Sequence, residues 1–106
     1  MHINKNILLD KFSHSMHNDE YALREYCATG DIPDYRQLVH EFTGMQKDLF
    51  EYAKSQVTED EKLSPDELAE ITSEFCRIHY DWIENVGKHA LNRWLVYRCW
   101  QEGIST

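Results

Sequence analysis

The sequence predicts an all-α domain, a small up-and-down bundle of four or five helices, and three observations carry that prediction. Glycine and proline are scarce, four and two in 106 residues, which is too little punctuation for a many-stranded β domain. Apolar residues recur at three- and four-residue steps along most of the chain, the period of helices buried on one side. The stretch Leu63-Ser64-Pro65-Asp66-Glu67-Leu68 is a complete helix start. Ser64 suits the cap, Pro65 the first helical position, where its missing N–H has no intrahelical partner, and Glu67 can reach back to the N–H of Ser64. Leu63 and Leu68 flank that start as a hydrophobic staple. A chain of this length is one domain, residues 1–106, able to bury about 60 to 70 % of its unfolded surface without disulfides.

Taken in order, Ile7, Leu8, Phe12 and Met16 predict a short first helix with Asn4 as its cap. His14 to Asn18 is a joint, after which Asn18 caps a second helix carrying Asp19 and Glu20 in its first turn, where negative charge favours the dipole. One continuous helix over residues 5–29 is the alternative. Gly30 supplies a left-handed stop, and Asp31-Ile32-Pro33 restarts the chain. Tyr35, Leu38, Phe42, Met45, Leu49 and Tyr52 then recur at near-heptad spacing, a long third helix. Gly44 inside it costs about 1 kcal/mol relative to alanine, so it is expected to mark a close helix crossing. Residues 57–62 are the next loop.

Beyond Pro65, Leu68, Ile71, Phe75, Ile78, Trp82 and Val86 form the expected buried stripe, and helical character continues to Trp100. An unbroken helix over residues 64–100 would be about 55 Å long, whereas a globule of this size is about 33 Å across. The last helix is therefore expected to kink or break near Gly87, within Asn85-Val86-Gly87. The segment from Lys88 to Trp100 is apolar nearly all round, which makes it either the centre of the fold or an interface. Gly103 ends it, and Ile104 to Thr106 is expected to fray.

The net charge is −8, which repels nucleic acid and anionic membrane and attracts basic partners. It is unevenly placed. Residues 1–57 carry a net −3, residues 75–106 a net +1, and residues 58–74 a net −6 from seven acids and Lys62. No apolar run approaches the roughly 20 residues of a membrane span, and the N-terminus is too short and too soon charged for a signal peptide. Cys27, Cys76 and Cys99 are odd in number and lack C-x-x-C spacing, as buried thiols of a reducing compartment do. The expected location is the cytoplasm.

The residues that carry chemistry elsewhere do not assemble here into a motif. His14 with His17, and Cys76 with His79, are each one helical turn apart and could offer two ligands. No H-E-x-x-H is present, because Gly44 stands where the second histidine would follow His40-Glu41, and no E-x-x-H is present either. No metal or cofactor is expected. The acids Glu67, Glu70, Asp81 and Glu84 are of the type a metal-dependent nucleotide hydrolase uses, but on one continuous helix they would not converge on an ion.

What remains is the acidic tract Glu59, Asp60, Glu61, Asp66, Glu67, Glu70 and Glu74. Acids near a helix start stabilise it and a charged face keeps a small protein soluble, yet seven within 17 residues exceed what one helix terminus can use. The expected function is a non-enzymatic binding protein that neutralises a basic protein partner, such as an immunity protein or antitoxin of a bacterial nuclease toxin, or a phage-type inhibitor. Two alternatives stand beside it: a small structural subunit or homodimer joined through Leu91 to Trp100, and a metal-dependent nucleotide hydrolase.

Overall fold

A computed structural model describes residues 4–13, 18–29, 35–57 and 61–105. Within them lie five α-helices: α1, Lys5–Phe12; α2, Glu20–Thr29; α3, Tyr35–Ser55; α4, Pro65–His79; and α5, Asn85–Gln101. The start of α4 follows its local chemistry. The N–H of Glu67 donates to Ser64 Oγ at 3.2 Å, the N–H of Ser64 donates to Glu67 Oε1 at 3.1 Å, and Leu63 and Leu68 are both buried. Asn4 caps α1 by accepting the N–H of Asn6 at 2.9 Å.

The helices α1 and α2 are separate, and the cap of α2 is Asp19 rather than Asn18. The N–H of Ala22 donates to Asp19 Oδ1 at 2.9 Å, while the amide of Asn18 exchanges two hydrogen bonds with buried Gln46, each 2.7 Å long. Gln46 also donates to Ser13 Oγ at 2.8 Å. The amide of Gln46 thus has partners for both its oxygen and its nitrogen, which is the condition under which a polar side chain is tolerated in a core.

The chain turns between α4 and α5 at Tyr80 to Glu84, before the glycine expected to break it. Gly87 lies inside α5 and is buried. What it provides is space: a Cβ there would fall 2.5 Å from Asn6 Oδ1 and 2.8 Å from Ile83 Cγ2. Asn6, 4 % exposed, comes from α1 to fill that space. Its Oδ1 accepts the N–H of Glu84 at 2.6 Å, and its Nδ2 donates to the carbonyl of Trp82 at 3.3 Å and to Asn4 Oδ1 at 3.1 Å.

This turn also moves the apolar stripe. The buried face of α4 is Leu68, Thr72, Phe75 and Cys76, and Ile83 is buried in the connection. Ile78 and Val86, expected on the stripe, are 52 % and 47 % exposed: Ile78 still belongs to α4 but lies off its buried face, and Val86 belongs to α5, beyond the turn where the register of a continuous helix is lost.

The helix α5 is the centre of the bundle, packed against α1, α3 and α4. It buries Gly87, Ala90, Leu91, Leu95 and Cys99, and the Phe12 and Phe42 rings lie 5.8 Å apart within the same core. Its C-terminus closes as a Schellman motif around Gly103 at φ +74°, with the N–H of Gly103 on the Trp100 carbonyl at 3.1 Å and that of Ile104 on the Cys99 carbonyl at 3.0 Å. The tail expected to fray is held through Ser105: the N–H of Leu63 donates to the Ile104 carbonyl at 2.9 Å, and Leu63 forms a parallel bridge with Ser105. The whole is elongated, 48 × 24 × 18 Å with a radius of gyration of 14.1 Å.

Gly44 marks no crossing, since nothing lies within 4 Å of the Cβ it lacks. Two glycines of one chain are therefore expected to respond in opposite directions. In urea unfolding, Gly87→Ala should destabilise the fold by about 1–3 kcal/mol through overpacking against Asn6, whereas Gly44→Ala should stabilise it by about 0.5–1 kcal/mol by restoring helix propensity at an exposed position. A Gly87→Ala variant as stable as the parent would dismiss the close approach of Asn6.

Candidate functional site

Of the acidic tract, Glu59 and Asp60 lie outside the described residues. Glu61, Asp66, Glu67, Glu70 and Glu74 are all exposed. At about 100° per residue the four on α4 fall within about 100° of its circumference, on the side away from buried Leu68 and Phe75. Glu67 is engaged in the capping box, and Glu74 faces Arg77 at 3.9 Å. That pair is solvent-exposed and weak. Glu61, Asp66 and Glu70 have no ion pair among the described residues. The other three ion pairs, Lys5 with Glu41, Arg93 with Asp10 and Arg98 with Glu102, use acids elsewhere. Arg77 and Lys88 bound the stripe on one edge, where with Glu70, Ser73 and Glu74 they line an open depression of about 530 Å³.

A second feature is not visible in sequence. Where α4 ends against α3, Asp48, Glu51, Tyr52, Phe75, His79 and Tyr80 line a groove of about 360 Å³. Its rings cluster around Phe75 in tilted pairs, with centroids 5.9 Å from Tyr52, 5.0 Å from His79 and 5.7 Å from Tyr80. Burial raises the Tyr80 hydroxyl above its ordinary value, and the negative charges of Asp48 and Glu41 raise it further, so the field of the α3 carboxylates reaches the ring. The only sequence signal was the four-residue step from Asp48 to Tyr52; nothing local places His79 and Tyr80 opposite them.

The thiols are poor nucleophiles. Cys27, Cys76 and Cys99 are buried. Burial pushes Cys76 up to about 11 against a small opposing effect of Lys88, and Cys99 up to about 11 with a further rise from Glu102. Cys76 is buried and its one-turn neighbour His79 is exposed, so they do not face a common ligand. His14 and His17 lie outside the described residues. Among the described residues no three His, Cys, Asp or Glu side chains gather as a metal ion would need. Glu67 and Glu70 stand on α4, whereas Asp81 and Glu84 belong to the connection beyond its end.

In the segment Leu91 to Trp100, Leu91, Leu95 and Cys99 face the core, while Trp100 is 63 % exposed with its ring 6.2 Å from that of Tyr97. No described helix is long and apolar enough to cross a membrane. In comparisons with known proteins, no family model, curated protein or solved structure matches the chain significantly.

The thiol environment yields a direct expectation. A thiol reagent at neutral pH should leave the three cysteines unmodified in the folded protein and modify all three on unfolding. Because Cys76 and Cys99 have folded values raised from 9.0 to about 11, the stability this gives is complete below pH 9 and is lost as pH rises toward 11. An alkaline stability profile flat across that window would contradict the buried, neutral thiols.

Proposed function

We propose that this chain is a non-enzymatic binding protein that neutralises a basic protein, in the manner of an immunity protein, antitoxin or phage-type inhibitor acting on a nuclease. The observation that carries it is the carboxylate stripe on α4, exposed and mostly without cationic partners among the described residues, on a helix fixed at its start by a full capping box. Nucleic-acid-processing enzymes have cationic clefts, and a rigid anionic helix covers such a cleft with little ordering cost. Charge of one sign on one face also speeds encounter. A homodimer remains the second reading, supported by exposed Trp100 alone, and light scattering that shows a dimer weakened by Trp100→Ala would favour it.

The test leaves the helix start intact. Glu67 supports the cap and is not changed; Glu61, Glu70 and Glu74 are replaced by lysine together. Against the basic protein captured from the native host and then purified, the triple variant should bind at least about 100-fold more weakly than the parent, and parental binding should weaken about tenfold between low and moderately high salt. Affinity indifferent to both changes would remove the electrostatic mechanism.

A further inference from the structure

We infer that the groove between α3 and the end of α4 is a seat for an arginine side chain of the basic partner, with Tyr52 and Tyr80 as ring faces and Asp48 and Glu51 as its carboxylates. This rests on the binding function proposed above. The first support is the combination of lining groups: a guanidinium is the side-chain cation that stacks on aromatic faces and donates two hydrogen bonds to a carboxylate at the same time. The groove, about 360 Å³, is at the small end of ligand clefts and suits a side chain rather than a helix.

The second support is that the chain fills a neighbouring seat of the same kind with its own cation. Lys5 Nζ lies 4.7 Å from the centroid of the Trp82 ring and pairs with Glu41. Glu41 precedes Asp48 by two helical turns along α3, and the Trp82 ring meets that of Tyr80 edge-on at 6.5 Å. One carboxylate on α3 and one ring of the connection hold a lysine there. One step along, Asp48 and Tyr80 repeat the pattern, and no lysine or arginine lines that groove. Arg98 over the Phe50 ring at 5.5 Å is a further instance of the same contact on α3.

The probe is N-acetyl-arginine N-methylamide, titrated into the full chain and followed by backbone amide shifts in two-dimensional NMR, with the citrulline amide as an uncharged isostere. Saturable shifts are expected at Asp48, Glu51, Tyr52, His79 and Tyr80, at least about tenfold weaker for citrulline and for the Asp48→Asn/Glu51→Gln variant. Both acids are exposed, so that variant should keep the parental spectrum elsewhere. Equal binding of citrulline, shifts confined to the α4 stripe, or binding unchanged in the variant would each overturn the seat. The probe needs no partner protein. A negative result therefore removes the groove and leaves the lysine-replacement test of the stripe standing, whereas insensitivity of partner binding to the stripe variant removes the function even where arginine amide binds.

Discussion

The fold depends on the corner at Tyr80 to Glu84 and on the asparagine that holds it. An unbroken helix over residues 64–100 would be about 55 Å long and would exceed even the 48 Å long axis of the molecule. Turning the chain frees backbone polar groups, each of which must find a partner or cost stability. The N–H of Tyr80 returns to the Cys76 carbonyl at 2.8 Å and that of Ile83 to the Tyr80 carbonyl at 3.0 Å. The Glu84 N–H and the Trp82 carbonyl are met by Asn6. Glu84 makes no side-chain cap for α5, so the corner is completed from the other end of the chain.

That arrangement makes the short elements depend on the long ones. At eight residues, α1 is below the length at which a helix is stable alone, about 12–15 residues, and it persists because Leu8, Leu9 and Phe12 are buried and Asn6 is engaged at the corner. The Asn18 and Gln46 amide pair joins the start of α2 to α3 in the same way, and Ile104 with Leu63 joins the C-terminal tail to the start of α4. Each closure links segments remote in sequence through satisfied polar groups, while α5 supplies the apolar surface against which they are drawn together.

What was legible in the sequence was local. The capping box of Ser64 and Glu67, the Asn4 cap, the long α3 and the Gly103 stop depend on residues within one or two turns of each other. The position of the break was not legible, because three- and four-residue spacing runs on through Ile78, Trp82 and Val86, and the glycine that draws attention serves contact with Asn6. Gly44 misled in the opposite sense: it suggested proximity and has none. Asn18 and Asp19 are equally good caps by residue type, and only the distant Gln46 decides between them. For the site, spacing alone identified the α4 stripe, whereas the groove requires α3 and α4 to be docked before its members become neighbours.

The stripe is difficult to explain as a stabilising device. Acids in the first turn of α4, Asp66 and Glu67, complement the helix dipole, and that effect fades within a turn. Glu70 and Glu74 lie beyond it, and like charges four residues apart on a helix oppose each other by about 0.2–0.5 kcal/mol per pair. Arg77 offsets little of this across an exposed 3.9 Å contact. The same protein places Asp10, Glu41 and Glu102 beside cations, so pairing acids with bases is within its means. Leaving Asp66 and Glu70 on one rigid face without an ion pair among the described residues costs a little stability and concentrates negative potential there. That trade is intelligible where the missing cations belong to another molecule, and it is the physical ground on which the binding function rests.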